Sequence, residues 1–433
     1  MLHLRISSYA LAWLASAPLL VVACAPAADI ARANDNALGG EGQPPYGNGT
    51  CNAGLTNCGT TCSRACGTNA DAGLPTSDAA TAGDGSVSRD AGGGDSSRST
   101  DSGTLEVVAT GNRIAAIALD GASVYWAESN IMTCDGRVVK SPKSGGASIE
   151  IANNQSAPVT ISVDSTSVYW TNFGCVDAQS VFHRAGSVMS APLGGGTLHT
   201  LASDLELPVG TAIDAGWVYW FSWGVKSIAS LTSNLPGHPN PATDGLWRVR
   251  TDGTLPQQLD VLTGISIAPV VAGASVYYTN IGNRVSSAAP PDHVRRFGIG
   301  GSTHDELTSV NEGVVDGIVS DGASMYVTYQ TATLGGTTHA GIFSIPVGGG
   351  AQHTIAIITG FRAVTLAIGG ADLYWIEQDV EMGTSYSVKK VSTAGGPTIT
   401  LATGQYPAGK IAMAIDATHV YWSTGSEIVR IPK

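Results

Sequence analysis

The sequence predicts an all-β fold: a seven-bladed β-propeller closed by an N-terminal strand that completes the last blade, preceded by a disordered tether. Three observations predict it. An apolar-aromatic run returns seven times, as Val124-Tyr125-Trp126, Val168-Tyr169-Trp170, Val218-Tyr219-Trp220, Val276-Tyr277-Tyr278, Met325-Tyr326-Val327, Leu373-Tyr374-Trp375 and Val420-Tyr421-Trp422, its tyrosines 44 to 58 residues apart. Self-similarity at such a period marks a repeat architecture. Each unit holds four short β-like runs parted by turn residues, and residues 104–433 shared among seven units give about 47 residues each, the scale of a propeller blade. The last unit ends at Arg430-Ile431-Pro432-Lys433, one strand short, and a matching strand stands at the front.

Taken in order, the first element is an export signal. Residues 1–23 have a short head with Arg5, an apolar run from Ile6 broken only by Ser and Pro, then Val21-Val22-Ala23 before Cys24. A small residue directly before Cys24, at the end of such a run, resembles the lipobox of bacterial lipoproteins, which implies that Cys24 is acylated and becomes the mature N-terminus. Ala25 stands where an Asp would imply retention in the inner membrane, so the resemblance implies an outer-membrane lipoprotein facing the periplasm or the cell surface. The alternatives are a plain secretory signal with a chance cysteine and an uncleaved anchor, for which the run is short against the usual span of about 20 residues. The net charge of −12 argues against nucleic acid as a partner.

Residues 24–103 read as a cysteine-containing, low-complexity tether. Seven cysteines are present; without Cys24 the number is even, which suits disulfides in an exported protein. Cys51, Cys58, Cys62 and Cys66 cluster among Gly, Thr and Asn, without the regular paired spacing of a zinc site, so two local disulfides are expected with their pairing open. The stretch that follows, as in Asp90-Ala91-Gly92-Gly93-Gly94-Asp95, is too polar to order itself. Its roughly 37 residues reach on the order of 35 Å as a flexible chain.

From Thr104 the repeats begin. In the second unit the four runs are 159–163, 167–171, 186–191 and 197–201. Asp and Gly residues such as Asp120-Gly121, Asp164, Asp214, Asp321-Gly322 and Asp416 mark a tight turn between first and second runs, and glycine clusters such as Gly194-Gly195-Gly196 mark the third-to-fourth turn. Thr104-Leu105-Glu106-Val107-Val108-Ala109-Thr110-Gly111 matches Thr398-Ile399-Thr400-Leu401-Ala402-Thr403-Gly404 of the sixth unit. It should pair with the C-terminal three strands and remove the exposed edges an open stack would leave. Val-Tyr-Trp, in every second strand, is expected to form the wedge between blades rather than a ligand platform.

Connections alternate between two faces. The second-to-third loops vary most, from the few residues around Thr424-Gly425-Ser426 to the long 221–244 excursion with Trp223, and unlike loops on a rigid scaffold are where binding usually resides. Cys134 and Cys175 fall in two such loops of adjacent blades and are expected to form a disulfide. His183, His238, His293 and His339 are assigned to loops of four successive blades; loops of neighbouring blades diverge and no HxH or HExxH spacing fixes two ligands, so solvated side chains are expected rather than a metal site. Links entering blades six, seven and one carry Phe361-Arg362, Tyr406 and Arg113, an aromatic and cationic arc suited to an anionic or sugar-like ligand, with Trp223 as a further candidate. Solvated loop tips are the competing reading.

No catalytic residues are assigned: the chain lacks a GxSxG elbow, a phosphate loop and paired carboxylates at a recognisable spacing. The second unit, Ile161-Ser162-Val163-Asp164 followed by Val168-Tyr169-Trp170-Thr171-Asn172, resembles the YWTD propellers of extracellular receptors, and the likeness extends in weakened form over residues 104–433. It departs in blade number, the family usually having six, and in the closing Asp, which here is Asn172 or Asn280, with Ala127-Glu128 or Phe221-Ser222 elsewhere. The resemblance implies the fold and leaves the ligand open. The leading expectation is a lipid-anchored monomeric interaction module that binds a protein or glycan through its loop face, without a cofactor. The alternatives are a propeller enzyme of lyase or hydrolase type with its site at the channel mouth, and a coat protein with no defined ligand.

Overall fold

The computed structural model describes residues 56–57, 62–63, 104–176, 182–184, 186–223, 245–262, 265–266, 268–281, 292–301, 304–310, 313–331, 339–379, 385–405 and 411–433. The signal, Cys24, Cys51, Cys58 and Cys66 lie outside these residues, as do His238 and Tyr406; of the tether, only a short antiparallel pair, Thr56–Asn57 with Cys62–Ser63, is placed. The described residues form strands and turns and contain no helix.

From Ile114 onward the described strands form seven antiparallel blade sheets in chain order, beside a separate two-stranded hairpin, Cys175–Val176 with Phe182–Arg184. Blade one comprises Ile114–Leu119, Ser123–Glu128, Gly136–Pro142 and Ile149–Gln155, each strand paired to the next. Blade four differs only in its first strand, split into Ile265–Ser266 and Val270–Ala272. Blade seven has Met413–Ile415, His419–Ser423 and Glu427–Pro432, and its outer strand is Glu106–Thr110, with Glu106 opposite Arg430 and Thr110 opposite Glu427. The split blade read from the sequence is therefore present. In blade two the fourth strand is His199–Leu205, later than the expected 197–201. Gly195 and Gly196 at φ 81 and 127 spend the preceding residues on the turn, where Gly195 N donates to Pro192 O (2.9 Å).

Why the Val-Tyr-Trp run repeats is visible at the seams. Successive side chains on a strand point to opposite faces, so the tyrosine of each blade faces the next blade and the following residue faces the previous one. Seven apolar clusters result, one per seam. They join Tyr125 to Trp170, Tyr169 to Trp220, Tyr219 to Tyr278, Tyr277 to Val327, Tyr326 to Trp375, Tyr374 to Trp422 and Tyr421 back to Trp126. The last of these closes the ring. All five tryptophans at this position are essentially inaccessible, and losing one such side chain costs about 3–5 kcal/mol.

The turn aspartates do more than form turns. Asp164 Oδ1 accepts from Thr166 N (2.7 Å), Ser167 N (2.8 Å) and the Thr166 hydroxyl (2.9 Å), while Oδ2 accepts from the Tyr169 phenol (2.9 Å). Asp120, Asp321 and Asp416 repeat the arrangement with Tyr125, Tyr326 and Tyr421. One carboxylate thus fixes both the hairpin and the ring that enters the seam. In blade three the turn is built instead from Ala215 and Gly216 at φ 47 and 78, a left-handed pair that needs no side-chain acceptor, and Asp214 is exposed.

Cations stitch some seams from outside. Lys140 Nζ donates to Leu193 O of blade two (2.6 Å), Arg296 Nη1 to Val347 O of blade five (3.3 Å) and Arg430 Nη1 to Lys143 O of blade one (2.8 Å). The last belongs to the closing seam, where Lys143 Nζ also meets Asp416 Oδ2 (2.9 Å) and Arg430 pairs with Glu106 (2.7 Å). Close approach between blades explains a recurring glycine: a Cβ at Gly136 would collide with Pro158 Cδ of the next blade, and one at Gly186 with Pro208 Cδ.

Candidate functional site on the loop face

Hydrogen bonds define the two faces of the ring. Lys143 N, just past the third strand of blade one, donates to Ala122 O in the first turn (2.9 Å), whereas Ser129 N, at the root of the second-to-third loop, donates to Arg113 O in the blade link (3.2 Å). Both ends of the propeller lie on the turn face: Lys433 N donates to Thr418 O (3.0 Å), and Glu106 starts the outer strand opposite Arg430. The loop face is therefore clear of the ends of the ring.

First strands line the centre, and contacts between successive ones run around the ring and close from Met413–Ile415 to Ile114–Leu119. Their residues are mainly Ala, Val, Ile, Thr, Ser and Gly, and the ionisable ones are Asp214, Asp316 and Arg362. Ser162 and Thr211 share a hydroxyl hydrogen bond across blades two and three (2.8 Å).

Two residues after each seam aromatic sits the position of the closing Asp in YWTD units. Glu128 there is buried; it accepts from Trp126 Nε1 (3.0 Å) and pairs with Arg137 (2.5 Å). Glu377 in blade six repeats this with Trp375 Nε1 (3.2 Å) and Lys389 (2.5 Å). In blade two, Gln155 Oε1 accepts from Trp170 Nε1 (2.9 Å) and Asn172 Nδ2 (3.0 Å). These groups satisfy buried indole N–H groups near the loop face; the sequence marks Glu128 and Asn172 only as departures from the YWTD motif and does not single out Glu377 or Gln155. Trp220 differs, its buried Nε1 having no partner among the described residues.

The candidate ligand residues divide. Arg113 is exposed in the link to blade one at φ 51. Phe361 and Arg362 lie in the first strand of blade six, Phe361–Gly369, not in the link as expected; extended pairing with Asp379 and Gln378 draws them into the sheet. Phe361 is half-buried against the seam of blades five and six, and Arg362 donates twice to Gln378 Oε1 (3.0 and 2.6 Å). Blade seven stands between this pair and Arg113. Trp223 is buried: its Nε1 donates to Ser266 O of blade four (2.7 Å), and its ring meets Phe173 of blade two edge-on at 6.2 Å.

Of the histidines expected in loops, His293 and His339 stand in third strands, whereas His183 lies within the second-to-third loop of blade two as expected. His293 is the second residue of the third strand of blade four, Asp292–Gly298, stands opposite Asn280 and contacts Glu306 (2.8 Å); His339 stands opposite Thr331 at the start of the third strand of blade five, and His183 lies in a short hairpin, Cys175–Val176 with Phe182–Arg184. Hairpin pairing extends into these loops and takes His293 and His339 with it. Among the described residues no group of three His, Cys, Asp or Glu side chains could hold a metal ion. Cys134 and Cys175 do form the expected disulfide, with Cα atoms 5.7 Å apart.

Electrostatic shifts occur toward both faces: burial and the Asp260 carboxylate push the Tyr278 phenol up, and Glu128 raises the Arg137 guanidinium on the loop side, while the turn aspartates are shifted on the other. Burial pushes the Asp164 carboxyl up, but the turn N–H groups, the Thr166 hydroxyl and the Tyr169 phenol outweigh it and hold the group below its ordinary value; Asp120, Asp321 and Asp416 behave alike. Burial, and then the facing Asp372 carboxylate, pushes the Tyr374 phenol up to about 12.

No family model and no curated protein matches the chain. Its fold is similar to that of an oligogalacturonate lyase from Vibrio parahaemolyticus, with 10% identity over 77% of this chain and 94% of that one and a TM-score of 0.55. It is also similar to the β-propeller domain of the trilobed protease from Pyrococcus furiosus, with 9% identity, coverage of 74% and 95%, and a TM-score of 0.51. That domain has an open velcro topology, whereas here the outer strand of blade seven comes from the N-terminal end and the ring closes. A structure of prolyl endopeptidases aligns at 11% identity and a TM-score of 0.49 over 74% of this chain, which spans 50% of that chain's length. At these identities the likeness concerns the fold. The chain is a seven-bladed β-propeller.

Proposed function

We propose that the protein is an exported interaction module, held at the outer membrane through an acylated Cys24, which binds a protein or glycan through its loop face. The observation that carries this reading is the division of labour along each repeat. The recurring positions are spent on seams and turns, the central strands carry small side chains, and what differs from blade to blade is the second-to-third loops on the face away from the ends of the ring. Unlike loops on a uniform scaffold are a binding arrangement. The Cys134–Cys175 disulfide suits an oxidising compartment outside the cytoplasm. The YWTD-like unit supports a recognition role, and Arg113 and Arg362 offer donors to acidic or sugar-like groups, with the rings of Phe361 and Tyr406 as stacking surfaces. Likeness to a lyase propeller concerns the fold and brings no activity with it.

The test is capture of partners from cell-surface extract by the immobilised protein. Retention of a partner that is lost on Arg113→Glu with Arg362→Glu, at unchanged circular dichroism, supports the arc; equal retention by both proteins refutes its role. Mass analysis of the mature N-terminus decides the anchor, since the reading requires an acylated Cys24 with residues 1–23 removed.

A further inference from the structure

The loop roots of blades one to four are tied together in series. The Cys134–Cys175 bond joins the blade-one loop to blade two across 41 residues of sequence. Phe173 and Cys175 are fully buried, and Phe173 N and Gly174 N donate to Ala157 O and Ser156 O in the link between those blades (both 2.9 Å). The Phe173 ring meets Trp223 of blade three edge-on. Trp223 in turn donates through its backbone N to Glu206 O (3.1 Å) and through Nε1 to Ser266 O of blade four (2.7 Å). Ile131 of the blade-one loop packs against the same apolar cluster. A covalent bond, an aromatic contact and an indole hydrogen bond thus run under the loop face from one blade to the next.

The members of this series differ in what else holds them. Residues 129–135 are held by Ser129 N to Arg113 O, Cys134 N to Asn130 O (3.2 Å), Met132 N to Asn130 Oδ1 (3.1 Å), a Thr133–Asp135 contact and the Ile131 side chain. Cys134 sits at φ 57, a left-handed conformation that costs an L residue energy and lasts only where its surroundings impose it. Neither cysteine belongs to any of the seven seam clusters, and the closing seam is built from other residues. We propose that the Cys134–Cys175 bond is a redox-sensitive brace: its reduction frees the loop 129–135, and with it the stiffness of the loop face over blades one and two, while the ring stays closed.

The chemistry balances with a dithiol as reductant. A thiolate of the dithiol attacks Sγ of the more accessible Cys134, the S–S bond breaks, and Cys175 leaves as a thiolate and takes a proton. The second thiol, as its thiolate, closes on the mixed disulfide and expels Cys134, which also takes a proton. The dithiol ends as a cyclic disulfide, and two electrons and two protons have passed to the protein. The meaning of the switch rests on the loop-face reading of function, but its test does not.

The test is hydrogen–deuterium exchange by mass spectrometry on the full chain, oxidised and reduced with a dithiol, beside Cys134→Ser/Cys175→Ser, which leaves the tether cysteines untouched. Peptides covering 131–135 should exchange at least tenfold faster after reduction and in the double variant. Those covering Phe173 and Gly174 should change less, because their backbone bonds remain. Second-strand peptides around Tyr125, Tyr169 and Tyr421 should not change. Unchanged exchange at 131–135, or acceleration spread equally over all blades, would overturn the proposal. Such a failure would leave ligand capture by the loop face to be judged separately.

Discussion

Replacing Asp164 by Ala isolates what the turn aspartate contributes. Asp164 accepts from two backbone N–H groups, a hydroxyl and the Tyr169 phenol. At about 1 kcal/mol net for each bond, discounted for the exposed side of the turn, the loss should be about 2–3 kcal/mol, part of it the cost of leaving a half-buried phenol without its acceptor. Asp214→Ala is the internal control: it changes the corresponding residue of blade three, where Ala215 and Gly216 form the turn without it, and should stay within about 0.5 kcal/mol. Urea denaturation followed by tryptophan fluorescence reads both, as a shift of midpoint at constant slope. Tyr169→Phe added to Asp164→Ala should cost less than the sum of the separate changes, because both remove the same bond. Equal effects at Asp164 and Asp214, or additivity of Asp164 with Tyr169, would refute the shared role.

Further outcomes follow from the same contacts. Asp120, Asp164, Asp321 and Asp416 are held below their ordinary value of 3.8, so their stabilisation is complete above that value and lost as pH falls through the depressed ones. Acid titration of the thermal midpoint should therefore steepen below about pH 4, and Asp164→Asn should flatten it. Trp170→Phe should destabilise by about 1 kcal/mol more than Trp220→Phe, since Trp170 Nε1 gives up a bond to Gln155 and Trp220 Nε1 has none among the described residues; calorimetry on both decides it. Gly136→Ala should lower the midpoint by several degrees through its clash with Pro158, while Gly121→Ala, with nothing nearby, should leave it unchanged.

The seams were legible because one strand must serve two neighbours: alternation sends Tyr169 forward to Trp220 and Trp170 back to Tyr125, so the dipeptide recurs wherever a seam recurs. The closing strand was legible for the same reason, as a fourth strand out of place. The role of Glu128 and Glu377 was missed because the cation that pairs with each, Arg137 or Lys389, comes from the next strand and is specified by pairing register, although the indole each accepts from stands only two residues earlier. The latches from Lys140 and Arg296 reach 53 and 51 residues along the chain and that from Arg430 reaches 287, and only the assembled ring brings them together. Trp223 looked like a loop aromatic because its acceptor, Ser266 O, lies in another blade. The loops that distinguish one blade from the next have no period to read, which is why the ligand stayed open while the scaffold did not.

Closure of the ring between the two ends of the propeller is the central claim, and one cross-link tests it. With Thr110→Cys and Glu427→Cys in the full chain, mild oxidation followed by peptide mass spectrometry should find a 110–427 disulfide within the monomer, because these residues face one another in the completed blade. Absence of that link, or its formation only between molecules, would contradict the closed seven-bladed ring.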